Sequence, residues 1–354
     1  MSLTSPPINP MLRLKIDGRT VADTKLACVL EATAIQDVED IGSFELVAHL
    51  WDEEKQRRTW LAEELAEGAP VELHMHLRGE PTPVFHGEVT GLAVEFPDRA
   101  PATITVRGYD CRHRLLRGAV SHSFVQVRDS EIAEKFAAAA GLSIEAEKSS
   151  VRHRCLIQTE QTDYEFLCER AAAIGYELAV RADKLLFRKP PLAASPVATL
   201  DVTTQVVEFR AALSVMRQVN RVVARGFDPA TKKFVQGDIQ AGEARISMGG
   251  ISGPDRAKCS IKAATHTTAA WPVTTAQEAE LLARGLLVAS ALRHVRGEAV
   301  VVGDPALAAG RVVAFENAGP RFDGKYYITQ ATHRFNQRSG ASYRTTLGLR
   351  RSSS

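Results

Sequence analysis

Val71-Glu72-Leu73-His74-Met75-His76-Leu77 decides the class of the fold. Valine, methionine and the two leucines occupy alternate positions, with glutamate and two histidines between them. A period of two puts one row on a core and the other on a polar surface, as in a half-buried β-strand. Leu12-Arg13-Leu14-Lys15-Ile16 alternates the same way before a turn at Asp17-Gly18, and so does Phe44-Glu45-Leu46-Val47-Ala48-His49-Leu50. Val89 to Phe96 and Thr103 to Val106 read as a hairpin around Pro97-Asp98-Arg99-Ala100-Pro101.

Beyond residue 115 the period changes. Asp129-Ser130-Glu131 opens a predicted helix through Ile132 and Phe136, with Asp129 as N-cap and Gly141 as the residue that ends it. Thr162 and Glu165 have capping-box spacing and start a second helix that Gly175 stops. Two short strands follow, Tyr176–Val180 and Leu185–Arg188. The Pro-rich segment from Lys189-Pro190-Pro191 to Ser195-Pro196 reads as a domain edge. Strands return at Val206–Phe209, Asn220–Gly226, Arg311–Phe315, Lys325–Phe335 and Ser342–Arg350. One helix, from about Thr274 to Leu292, interrupts them with Ala276, Ala279, Leu282, Ala283, Leu286 and Leu287 at helical spacing. Asp228–Lys258 lacks periodicity and reads as a long excursion.

A weak duplication runs through this pattern. Leu65-Ala66-Glu67-Gly68-Ala69-Pro70-Val71-Glu72-Leu73 is followed by Phe85-His86-Gly87 and a two-strand ribbon ending near Gly108. Leu307-Ala308-Ala309-Gly310-Arg311-Val312-Val313-Ala314-Phe315 is followed by Phe322-Asp323-Gly324 and a ribbon ending near Gly348. The order is shared: glycine turn, strand, Phe-x-Gly, strand, turn, strand. It predicts two similar β-modules around a different insert, with the glycine supplying each turn.

The composition agrees with a folded protein of two or three domains: 354 residues, 45% hydrophobic and 24% charged. The net charge is +2, from 44 basic and 42 acidic residues, so no global basic field exists to hold nucleic acid. The five cysteines (Cys28, Cys111, Cys155, Cys168 and Cys259) are dispersed and lack any C-x-x-C pair, which argues against a disulfide framework or a structural zinc site. No stretch approaches the roughly 20 apolar residues of a membrane span, and the first ten residues lack signal-peptide character.

Thr159-Glu160-Gln161-Thr162-Asp163-Tyr164-Glu165-Phe166-Leu167 followed by Ala173-Ile174-Gly175-Tyr176-Glu177 resembles the signature of the phage late control protein D family, the hub proteins of contractile tails and injection systems. That family is similar to the N-terminal half of type VI secretion spike proteins. Gly324-Lys325-Tyr326-Tyr327-Ile328-Thr329, His333 and Tyr343-Arg344-Thr345-Thr346-Leu347 resemble its C-terminal strands, and Asp110 to Leu116 leading into Asp129–Ala133 also fits. The resemblance implies a mainly β chain with an α+β insert: two similar tube-like β-barrel domains, 1–115 and 196–354, flanking a small α/β domain, 116–195. It implies a homotrimer that presents a pseudo-sixfold ring to a hexameric inner tube and holds a trimeric spike on its other face. Other baseplate subunits would be further partners. The spike is expected to be a separate chain, because the sequence stops at Arg350-Arg351-Ser352-Ser353-Ser354 instead of continuing into a needle. Assembly in the bacterial cytoplasm, into a phage tail, virion or injection particle, follows from the same resemblance.

Chemical signatures are weak beside this. His74-x-His76, with His86 nearby, has two ligands of a zinc site, but a catalytic site would need a third ligand and an open position, and a polar barrel face is the preferred reading. Glu53-Glu54 and Glu63-Glu64 are adjacent pairs whose side chains diverge, unlike the opposed carboxylates of a glycosidase. No nucleophile elbow, zinc-protease or phosphate-loop motif occurs, and Gly249-Gly250-Ile251-Ser252-Gly253 lacks the strand–turn–helix setting of a nucleotide site. The expectation is therefore a non-enzymatic chain with no cofactor, no metal, no nucleic-acid recognition and no direct membrane insertion. Trp51, Trp60, Phe85 and Phe322 are its candidate interface residues. A tail-borne cell-wall glycan hydrolase and a carbohydrate- or receptor-binding β-module are the alternatives.

Overall fold

The alternating stretch around Val71 forms the strand Pro70–His76, whose Val71, Leu73 and Met75 are buried. The computed structural model describes residues 10–52, 57–61, 65–77, 81–244, 246, 248–338 and 342–354. Glu53, Glu54, Glu63 and Glu64 of the hydrolase alternative lie outside the described residues. So does most of the N-terminal tip.

The first module has the strand order Val29–Asp37, Ser43–His49, Thr103–Tyr109, Thr82–Glu95, Pro70–His76, Met11–Ile16. The second has Val206–Leu213, Val295–Val302, Ser342–Arg351, Gly324–Asn336, Val312–Glu316, Thr199–Asp201. Five antiparallel neighbours thus recur in the same order. Only the sixth strand differs in direction: Met11–Ile16 pairs antiparallel and Thr199–Asp201 parallel.

The duplicated glycine turns are equivalent in hydrogen bonding. Gly68 donates to the Val89 carbonyl at 2.7 Å and Gly310 to the Ile328 carbonyl at 2.9 Å, each with positive φ (85° and 79°) that a side chain would oppose. The Phe-x-Gly match is two residues out of register. Gly87 sits opposite Val71, and the residue opposite the corresponding Val313 is Tyr326, not Gly324. Short motifs with one glycine and one aromatic align by chance more easily than a hydrogen-bonded turn does.

The expected pair of barrels takes another form. The two modules run together as one 13-stranded sheet, and among the described residues the pairing closes neither into a barrel. They join where Val29–Asp37 pairs antiparallel with the outer half of Gly324–Asn336, from Gln330↔Asp37 to Asn336↔Glu31. That joining strand carries no clear alternation, since past Val29 and a register shift its inward residues are the small Ala32 and Ala34.

The predicted helices are Asp129–Ala139, Asp163–Ile174 and Ala276–Ala291. Thr162 and Glu165 form their capping box, and Gly175 takes the left-handed conformation at the helix end. Asp129 is not the N-cap: Arg128 holds that position, and the Asp129 carboxylate is buried for another purpose. The excursion Asp228–Lys258 is more ordered than its composition indicates, containing the strand Lys233–Gln240 and most of the helix Gly253–Ser260. Its strand pairs with Arg221–Asp228 and packs on the Ala276–Ala291 helix. With that neighbouring strand and helix the segment shares one core with the α/β insert: Phe124, Phe136, Phe166 and Leu167 pack together with Val222, Ile239, Leu282 and Leu287. Among the described residues no helix is long and apolar enough to cross a membrane.

Candidate functional site

The joint between the modules is built first by apolar burial. Phe335 and Tyr343 leave the core of their own module and enter that of the first, with Leu46, Val106 and Ala32. His333, between Ala331 and Phe335 on the same strand face, is completely buried opposite Ala34. Its Nδ1 lies 2.8 Å from the Tyr343 hydroxyl and 3.2 Å from Thr345 Oγ1. Burial drives its pKa down to about 4, so the ring is neutral. Gln36 ties the seam to both sides, donating to the Val84 carbonyl at 2.5 Å and accepting from the Ala309 amide at 2.9 Å. Ion pairs Arg334–Glu31 and Arg350–Glu39 cross it on the solvent side.

A second joint fastens the insert. Asp110 caps the short turn Cys111–Leu116 by accepting from the Arg112 amide, and it also accepts the Gly42 amide at 2.6 Å. The Arg112 guanidinium is 1% exposed. It bonds Asp110 at 2.7 Å, the Leu178 carbonyl of the insert at 2.9 Å and the Asp37 carbonyl of the seam strand at 2.8 Å. One planar donor set thus meets three segments, which a lysine could not do. Beside it, Glu177 bonds Arg188 at 3.0 Å and accepts from the Tyr327 hydroxyl, while burial pushes the Glu177 pKa up. An open cleft of about 1000 Å³ lies where the modules and insert meet, lined by His76, His86, Arg181, Arg188, Asp304 and Arg311 among others. Its lining mixes both charges.

A third joint unites the two helical segments. His153 places Nε2 2.9 Å from Asp129 Oδ2 and Nδ1 2.8 Å from Glu278 Oε1, and Arg170 Nε is 2.7 Å from Asp129 Oδ1. Burial alone would lower the His153 pKa, but the two carboxylates outweigh it and hold it raised. Burial would raise Glu278, yet the hydrogen bonds from His153 and Thr274 bring it down to about 2. Both imidazole nitrogens face carboxylates, so neither is presented as a base to a substrate; the arrangement fastens helices together. The same geometry explains why Asp129 is buried instead of capping.

Both histidines of the alternating strand are buried, and His74 belongs to an ion-paired cluster on the sheet. His74 Nε2 and Lys15 Nζ each lie 3.0 Å from Glu72 Oε2, and His86 stands opposite Glu72 in the neighbouring strand. Burial raises the Glu72 pKa, and these bonds reverse it to a net lowering. Among the described residues no group of three or more His, Cys, Asp and Glu side chains is arranged to hold a metal ion.

Of the four interface candidates, Trp51 is 46% exposed. Trp60 is buried, its indole N–H donating to the Lys25 carbonyl at 2.7 Å. Phe85 is buried against Phe44, with ring centroids 5.7 Å apart. Phe322 packs half-buried on the core of the second module, and its carbonyl accepts from the Tyr326 hydroxyl at 2.7 Å. Phe85 and Phe322 therefore serve different cores. Among the residues that do join segments, His333 and the stretch with Asp110 and Arg112 entered the sequence reading only as parts of the family resemblance, and Gln36 and Phe335 carried no joining role there. Only Asp110 carried a local signal, as the cap of a turn.

Solved structures share this architecture along nearly the whole chain. The 43 kDa tail protein of prophage MuSo2 from Shewanella oneidensis matches at TM-score 0.69 and 16% identity, over 97% of this chain and 98% of that one. A tail protein from Neisseria meningitidis MC58 matches at TM-score 0.66 and 13% identity, over 97% and 96%. An E. coli protein described as a component of the type VI secretion system, structurally similar to the T4 bacteriophage tail proteins gp27 and gp5, matches at TM-score 0.57 and 12% identity, over 96% of this chain and 76% of that one. No curated protein matches the sequence significantly. The sequence profile of the Alg8 N-terminal domain family matches residues 10–337. The chain thus has the fold of phage tail and type VI secretion hub-like proteins, and it belongs to the Alg8 N-terminal domain family.

Proposed function

We propose that the chain is the structural hub of a contractile tail or injection-system baseplate. Three copies form a ring in which six β-modules of like strand order meet a hexameric inner tube, while the threefold face holds a trimeric spike. The observation that carries this reading is the seam: two modules with the same strand order joined edge to edge in one sheet. A chain that repeats a module once doubles the symmetry of its own oligomer, which is what a threefold-to-sixfold adaptor requires. Likeness to phage tail proteins supports the class of machine.

Within this proposal the units 1–115, 116–195 and 196–354 follow one another along the chain, the third lending Val222, Ile239, Val273, Leu282 and Leu287 to the core of the second. Each β-module completes its tube-like wall in the assembly. Trp51 is the surface contact among the aromatic candidates, and Trp60, Phe85 and Phe322 are packing residues. The role is assembly without catalysis, with inner tube, spike and other baseplate subunits as partners. Assembly takes place in the bacterial cytoplasm and the product is part of the particle.

Light scattering and native mass measurement of the purified protein test it. A trimer that forms rings with the tube protein is expected. A strict monomer at high concentration that binds neither tube nor spike would refute it.

A further inference from the structure

The seam inside the chain is a template for one between chains. After the glycine-turn contact at Ile328, the long second-module strand shifts register and its outer half, Gln330–Asn336, accepts the strand Val29–Asp37. The first module has the same construction: after the glycine-turn contact at Val89 its long strand shifts register, and Leu92 and Val94 pair inward with Val106 and Ile104. On the other side, however, this half strand has no partner among the described residues. Its core-facing side chains are open to solvent: Leu92 is 38%, Val94 57% and Phe96 72% exposed, while Phe335 is 3% exposed. The strand that corresponds to Val29–Asp37 is Val206–Leu213, and it too is an edge: among the described residues it pairs only with Val295–Val302. An unpaired edge beside exposed apolar residues is a template for adding a strand.

We infer that Val206–Leu213 of a second copy pairs antiparallel with the free half strand ending at Glu95, in the register of the internal seam. The register follows from equivalent pairs. Ala331, His333 and Phe335 face Gln36, Ala34 and Ala32. Leu92, Val94 and Phe96 occupy the places of the first three. Ala32 and Ala34 pair with Leu46 and Phe44, just as Phe209 and Ala211 pair with Ala299 and Gly297. Leu92 therefore meets Leu213, Val94 meets Ala211, and Phe96 meets Phe209. The ring of Phe209 already lies 5.0 Å from Phe315 and 6.2 Å from Tyr326, so Phe96 joins an aromatic cluster. The solvent side is complementary in charge: Glu95 falls opposite Arg210. The contact is head-to-tail, each copy offering one edge and receiving another, which closes into a ring when the rotation fits. The inference rests on the ring reading for the number of copies only.

Cysteines placed at Val94→Cys and Ala211→Cys, in a background with the exposed Cys155 and Cys259 changed to serine, test the register. Mild oxidation is expected to give reducible covalent multimers of the double variant, with the two positions linked between copies by mass spectrometry and neither single variant responding. The pair Val94→Cys with Ala212→Cys, which points to opposite sheet faces, stays uncoupled. Trimers in light scattering without this cross-link, or equal cross-linking of the shifted pair, overturn the junction and leave the ring reading standing. Monomers without cross-links overturn both. Charge reversal gives a second readout that leaves the core untouched. Glu95→Arg and Arg210→Glu each weaken association, by at least about twofold in midpoint concentration, and the combined reversal restores it; three equal midpoints overturn the proposed pair.

Discussion

Acid should loosen the module seam through His333. The ring is completely buried, and its pKa falls from the ordinary 6.5 to about 4. A histidine depressed on folding stabilises fully above its unfolded pKa and loses that contribution as pH falls toward the folded value. Linkage gives a loss of about 1 kcal/mol between about pH 7 and about pH 5.5, growing to about 3 kcal/mol by about pH 4. That is a large share of the ~5–15 kcal/mol that holds a typical domain together. The assay is urea unfolding of wild type and His333→Phe at each pH. Phenylalanine keeps the volume, removes the titration and forfeits the hydrogen bond to Tyr343, so the variant is less stable at neutral pH. Its deficit shrinks as the solution is acidified. Parallel stability curves for the two proteins over this range would refute the reasoning.

Three further outcomes are expected. Arg112→Met leaves the Asp110 carboxylate buried without its main cation and should cost ~3–5 kcal/mol in chemical denaturation, whereas pairing it with Asp110→Asn should cost less than the sum. Removing the charge at Glu278→Gln should destabilise most between about pH 4.5 and about pH 6.5: the depressed carboxylates contribute fully above their unfolded values, and the raised His153 contributes fully below its own. Thermal melts across that range check the window. Gly285→Ala would place a Cβ 2.8 Å from the Gly175 backbone nitrogen and 3.1 Å from the Ala173 carbonyl. Since backbone cannot give way, the two helices must separate, at ~1–3 kcal/mol in thermal unfolding.

The alternating rows Val71–Leu77 and Leu12–Ile16, the capping box at Thr162 and the glycine turns at Gly68 and Gly310 were all legible in the sequence. Each is a local matter: side-chain period, a cap three residues long, or a φ that only glycine adopts at little cost. Strand identity, helix limits and the existence of two related modules follow from such short-range rules.

What the modules do with each other was decided by tertiary structure. Val29–Asp37 carries alanines on its inward face, so no hydrophobic period marked it, yet it is the strand that merges the two sheets. Asp129 has the chemistry of a helix cap and was drawn instead to His153 and Arg170, which lie 24 and 41 residues away in sequence. Arg112 looks like any surface arginine until three distant segments converge on it. Edges, buried ions and seams depend on which remote groups arrive to desolvate and pair a residue, and the local sequence carries no record of those arrivals.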